Sequence, residues 1–152
     1  MASYPWRQYP HDASLARWLA CGFIAGAIAV LAFHQGALGL LHQLGITESA
    51  PFSRAHTAPW GVPQIWSSAF WGGLWGIALA LLLERLRRAD WLWVGILFGG
   101  ILLPLVGILV VAPLKGGALA WPGATMLLRG VIINGVWGLG AALLYRLGRA
   151  FA

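Results

Sequence analysis

Long apolar stretches alternate with short polar joints along this chain. Trp18 to Leu41 and Trp91 to Leu114 contain no Asp, Glu, Lys or Arg, and each is longer than the ~20 residues a helix needs to cross a bilayer. Ala55 to Leu83 is equally free of charge, but Pro59-Trp-Gly-Val-Pro63 keeps it from being helical before about Gln64. A fourth run, Thr125 to Leu147, is interrupted by Arg129 and still reads as one helix, with Thr125 as its N-cap after Pro122-Gly123. None of the runs shows the period-two alternation of a transmembrane barrel, so the pattern predicts an all-α integral membrane four-helix bundle. The expected spans are about residues 17–41, 64–83, 91–112 and 125–147.

The spans repeat in pairs. Trp18, Gly22, Gly26 and Ile28 recur as Trp91, Gly95, Gly99 and Ile101 at an offset of 73 residues. Ala50-Pro51, Gly61, Gly73, Trp75-Gly76 and Ala80 recur as Ala112-Pro113, Gly123, Gly135, Trp137-Gly138 and Ala142 at an offset of 62. The expected unit is therefore a tandem helical hairpin, repeat one at 15–88 and repeat two at 90–149. Because each copy crosses twice, the two point the same way, as a parallel repeat about an axis along the membrane normal.

Composition agrees with lipid as the solvent: 60% of residues are hydrophobic and 9% charged. A net charge of +6 on a soluble chain would suggest nucleic acid, but here the charges follow a membrane rule and no nucleic-acid partner is implied. Arg7, Arg17, Arg85, Arg87, Arg88, Arg146 and Arg149 fall on one side, and Arg54, Lys115 and Arg129 on the other. The positive-inside rule then puts both termini in the cytoplasm, with the Arg-rich joint after Glu84 free to contact anionic lipid as well. The short polar segment before Trp18 does not read as a signal peptide, and Trp18 in place of an aliphatic residue argues against lipidation of Cys21. One cysteine excludes an internal disulfide.

Small residues at every fourth position let helix backbones approach closely in lipid, where hydrophobic burial cannot drive association. Gly22 and Gly26, Gly72 and Gly76, Gly95 and Gly99, and Gly130 and Gly138 supply such stripes on the four spans. They serve packing first, with contact between protomers or lining of a conduit as alternatives. Trp18, Trp66, Trp91, Trp93 and Trp121 fall near span ends, where aromatic belts form. Trp71, Trp75 and Trp137 sit deeper and need partners for their indole N–H groups, and the equivalence of Trp75 with Trp137 argues for a shared structural role. Pro104 predicts a kink in the third span with no counterpart in the first, a candidate gating element.

Polar residues that differ between the copies are the sharper functional candidates. At the 62-residue offset Arg129 matches Ser67, Gly130 matches Ser68 and Asn134 matches Gly72. His34 and Arg129 share a depth, so His34, Gln64, Ser67, Ser68, Arg129 and Asn134 are expected to form an outward polar cup for a small polar or anionic solute, with Gln35 close by. Each key residue also has a purely structural alternative: Arg129 snorkelling to head groups, His34 hydrogen-bonding near the boundary, Asn134 joining two helices through its amide.

His34, His42, Glu48 and His56 lack the tight spacing that fixes metal ligands on one turn, and a lone intramembrane histidine does not make a bis-histidine haem site. No cofactor and no catalytic apparatus are implied. Phe33-His-Gln-Gly36, Ala50-Pro-Phe-Ser53, Gly61-Val-Pro63 and Ala69-Phe-Trp-Gly-Gly-Leu-Trp-Gly76 together resemble a group of small four-span bacterial inner-membrane proteins of no assigned function. The likeness covers Phe33 to Gly76 and implies no site. Nine arginines against one lysine fit a GC-rich bacterial genome.

The resulting expectation is a bacterial inner-membrane bundle, homo-oligomeric or joined to a membrane complex, that binds or passes a solute; the alternative is a non-catalytic scaffold or accessory subunit. A reporter enzyme active only outside the cytoplasm should be active when fused within 44–63 and inactive at the C-terminus. The reverse pattern would refute the orientation.

Overall fold

The computed structural model describes residues 12–86, 90–114, 116 and 121–150. Of the charges used for orientation, Arg7, Arg87, Arg88 and Lys115 lie outside the described residues. Among the described residues four helices are long and apolar enough to cross a membrane: α1 over 12–43, α2 at Gln64–Arg85, α3 at Trp91–Leu114 and α4 at Ala124–Ala150. Between α1 and α2 lies a short antiparallel hairpin, β1 (His56–Thr57) and β2 (Val62–Pro63), pairing His56 with Pro63 and Thr57 with Val62. It occupies the stretch that Pro59 and Pro63 were expected to keep out of a helix.

The helix ends show how local sequence sets the boundaries. Gly45, at φ +69°, ends α1: its N–H bonds the His42 carbonyl at 3.0 Å and the Ile46 N–H reaches the Leu41 carbonyl at 2.9 Å, a Schellman closure. Loop carbonyls cap α2, with Gln64 N–H on Ala55 at 2.9 Å and Ile65 N–H on Ser53 at 3.1 Å. The Asp90 carboxylate accepts from Leu92 N–H at 2.9 Å and starts α3. In α4 the Leu127 N–H bonds the Gly123 carbonyl at 3.0 Å, so the helix is under way at Ala124 and Thr125 lies in its first turn instead of capping it.

Pro104 has no N–H to give the Gly100 carbonyl, and α3 answers by widening into π-turns on both sides of it, at Phe98–Leu102 and Gly107–Val111. The first span, which has no counterpart of Pro104, is irregular too. A π-turn at Val30–His34 sends the Gln35 N–H back five residues to the Val30 carbonyl.

Two glycine seams hold the hairpins together. A Cβ on Gly22 would stand 2.8 Å from the Ala80 Cβ and 3.0 Å from the Gly76 carbonyl oxygen, and one on Gly26 would collide with the Gly72 carbonyl. Between α3 and α4, a Cβ on Gly95 would lie 2.9 Å from the Ala142 Cβ, and one on Gly99 would strike the Asn134 carbonyl. Only glycine lets these backbones meet.

The hairpins join through α1 and α4, which pack along each other, while α2 and α3 come close chiefly near Trp91–Leu97. At the α1–α4 contact Trp137, 1% exposed, donates its indole N–H to the Gly26 carbonyl at 3.0 Å, and the Phe33 ring fills the space over Gly140. The end of the bundle nearest the chain termini is tied by Glu84, which accepts from the Tyr145 hydroxyl at 3.1 Å and pairs with Arg149. Arg149 in turn lies 4.9 Å from the Trp18 ring, and Arg146 lies 5.6 Å from that of Trp91.

Gly26→Val and Gly99→Val should each destabilise the bundle by about 1–3 kcal/mol or more, because backbone must move to admit the side chain. Gly36→Ala, where a Cβ meets nothing within 4 Å, should be neutral or stabilising by up to about 1 kcal/mol. Unfolding in mild detergent compares the three.

Candidate functional site

Two adjoining cavities lie in the half of the bundle nearest the interhelical loop 44–63. The first, about 220 Å³, is bordered by all four helices and lined by His34, Ser68, Trp71, Trp75, Asn134 and Trp137, with Leu103, Val106, Gly107 and Val111 from α3. The second, about 290 Å³, lies under the loop and is lined by Gln35, Gln64, Ser49 and Ser53 together with His34 and Ser68. His34 and Ser68 are thus the wall common to both.

Helical phase decides which of the expected residues arrive. Asn134 and Trp137 are three residues apart on α4 and share a face. Arg129 precedes Asn134 by five residues, which turns it roughly 140° around the helix. It lines neither cavity, and its Nε is buried without a hydrogen-bond partner. The expected cup therefore loses its cation. Ser67, roughly 100° from Ser68, also misses both cavities. Together with Gln64 it lines a surface groove of about 790 Å³ between α2 and the β-hairpin, walled by Trp60, Trp66, Phe70 and Trp71. Gln64 reaches the second cavity but not the first. Pro104 does not itself line the first cavity; its neighbours Leu103, Val106 and Gly107 do.

The polar groups are oriented by a short relay. The Phe52 backbone N–H, held on a residue with φ 55°, donates to Gln35 Oε1 at 2.7 Å. With its oxygen so engaged, the buried Gln35 amide turns its Nε2 toward His34 Nδ1, at 3.5 Å. A ring nitrogen facing an N–H donor accepts, so this contact, at the outer limit of hydrogen-bond distance, fits the Nε2–H tautomer of a neutral His34. Asn134 is oriented in another way: its Nδ2 donates to the Gly130 carbonyl of its own helix at 2.8 Å. The amide thus joins no second helix, contrary to one alternative for this residue, and its Oδ1 has no protein partner among the described residues.

The tryptophans form walls that sequence reasoning placed at depth without assigning to a site. Trp75 and Trp137 were expected to share a role and do not. Trp137 is buried and hydrogen-bonded, whereas Trp75 packs edge-on against Phe98, centroids 6.0 Å apart, and its indole N–H has no protein partner among the described residues. The spacing of Ser68, Trp71 and Trp75 along one face of α2 is the signal that would have found this wall.

The remaining histidines serve the loop. His42 Nδ1 bonds the Thr47 carbonyl at 3.1 Å and His56 Nδ1 that of Gly61 at 2.7 Å. No cluster of three or more His, Cys, Asp or Glu side chains suited to a metal occurs among the described residues. The chain matches no protein-family model, no characterised protein and no solved structure, so the geometry alone carries the reading of this site.

Trp137→Phe removes the α1–α4 hydrogen bond and should cost about 0.6–1.7 kcal/mol, the range for interhelical bonds in lipid. Trp75→Phe keeps its edge-on contact and should cost less. Thermal unfolding of the purified proteins orders the two.

Proposed function

We propose that this chain is a multi-pass membrane protein that binds, and admits from one face of the bilayer, a small uncharged polar solute at the wall formed by His34, Ser68 and Asn134. One observation carries the reading: two cavities share His34 and Ser68 in their linings, and in the first of them Asn134, its Nδ2 bonded to its own helix, leaves Oδ1 without a protein partner among the described residues. Intramembrane polar groups cost free energy unless they are paired, so groups left facing a cavity are placed for a ligand or water. The absence of Arg129 from the lining favours a neutral solute over the anion expected from sequence.

The same reading takes the chain as a duplicated hairpin. The seam contacts support this, since Gly22 against Ala80 and Gly95 against Ala142 are related by offsets of 73 and 62 residues. A bacterial cytoplasmic membrane with cytoplasmic termini follows from the charge bias, and the cavities would then lie toward the outer face. The scaffold alternative needs glycine faces to dock partners. Gly22, Gly26, Gly72, Gly76, Gly95, Gly99 and Gly138 all meet helices of their own chain, which disfavours it, and Gly130 lies beside Pro104.

Acrylamide, a small neutral amide, tests entry by quenching tryptophan fluorescence. Gly107 lines the first cavity and a Cβ there meets nothing within 4 Å, so Gly107→Leu should fill the space without disturbing the fold. The quenching component lost in Trp75→Phe should fall at least two-fold in Gly107→Leu, with thermal stability kept, and quenching by iodide should not change. Equal acrylamide quenching in parent and Gly107→Leu would sink the proposal.

A further inference from the structure

The α1–α4 side of the first cavity is closed by Trp137 and Phe33, but its α2–α3 side is not. On that side the lining residues Trp71 and Val111 are 58% and 40% exposed, so the cavity opens sideways between two helices, where lipid would lie. Toward the chain termini the groove between α2 and α3 holds a further, mostly apolar cavity of about 430 Å³, lined by Ala78, Leu81, Leu82, Phe98 and Leu102, with Arg85, the last residue of α2, also in its wall.

A ligand using this route must dissolve in the bilayer, present an uncharged polar head and carry an apolar tail. The head site offers donors in the unpartnered Trp75 indole N–H, the Ser68 hydroxyl and, in the tautomer that the Gln35 contact favours, the His34 Nε2–H; Asn134 Oδ1 accepts, and the Ser68 hydroxyl can accept as well. That balance suits a head rich in carbonyl acceptors. Three tryptophan walls suit a flat ring, and about 220 Å³ is below the ~300–1,000 Å³ of pockets for larger drug-sized ligands. A phospholipid phosphate would require a cation, and none lines the cavity among the described residues.

Resting on the proposed solute site, we infer that the same wall also takes a lipid-soluble quinone entering between α2 and α3, with the ring in the first cavity and the tail in the α2–α3 groove. The inference concerns binding and invokes no electron transfer. The test uses the full chain in phosphatidylcholine nanodiscs, titrated with a decyl-substituted benzoquinone and with the same ring lacking the tail, followed by tryptophan quenching.

The tailed quinone should quench saturably, and Trp75→Phe should remove part of the signal. Its Kd should rise ten-fold or more in His34→Leu and recover in His34→Gln, which restores an N–H donor. Saturation should be lost in Gly107→Phe, whose folding is checked by its helical circular dichroism. The tail-less ring should bind at least ten-fold more weakly. Non-saturating quenching, a response unchanged across the variants, or equal affinity without the tail would each overturn the inference. If acrylamide still enters the parent and is excluded by Gly107→Leu, the solute site survives and only its quinone ligand falls; if that difference is also missing, both fall.

Discussion

The bundle depends on backbone meeting backbone. At Gly26 and Gly76, and again at Gly99 and Gly138, the carbonyl of one helix occupies the place where a side chain of its neighbour would begin. In lipid this is a main source of helix adhesion, because tails solvate leucine as well as another leucine does. Everything else follows from where the seams stop. Each runs through the middle of its hairpin; on the loop side of Gly72 in one, and of Gly100 in the other, where a Cβ would stand 3.1 Å from the Val131 carbonyl oxygen, the contacts loosen until Gly130 meets only the Pro104 ring at 3.9 Å, and space is left between the helices.

How that space is left open is a matter of unequal closure. If the chain is a duplicated hairpin, the α1–α4 and α2–α3 contacts are counterparts, and Trp137 and Trp75 sit at matching positions in them. One indole hydrogen-bonds a backbone carbonyl across α1–α4; the other crosses α2–α3 only by its edge-on contact with Phe98, and the first cavity lies on the loop side of that contact. The π-turns act in the same direction. That at Val30–His34 ends at the residue shared by both cavities, and that at Gly107–Val111 supplies Gly107 and Val111 to the lining. Re-phasing a helix by a fraction of a turn changes which side chains face a cavity while leaving the span intact.

The spans and the seams were legible in the sequence, and for one reason: both are one-dimensional patterns. A charge-free run long enough to cross lipid and a glycine at every fourth position need no knowledge of neighbours, so Gln64 as the start of α2 and Gly22, Gly26, Gly95 and Gly99 as contact points could be read directly. Half of the polar site was not legible. His34, Ser68 and Asn134 converge, but Arg129 was grouped with them on depth alone, and depth says nothing about azimuth; five residues along α4 turn it away. The divergence of Trp75 from Trp137 was hidden because identical residues at equivalent positions read as identical roles. The π-turn in α1 has no proline to announce it.

The relay from Phe52 to His34 links the loop to the cavity chemistry. A backbone N–H can only donate, so its bond to Gln35 fixes which end of that amide is oxygen, and hence which nitrogen of His34 faces a donor. The loop outside the bundle thereby favours one tautomer of a histidine within it. In a medium that cannot supply compensating hydrogen bonds, a mis-set tautomer would leave a donor facing a donor, at a cost comparable to an unmade bond. The buried Gln35 is therefore best understood as part of the site, although it touches only the second cavity: it orders the wall that both cavities share.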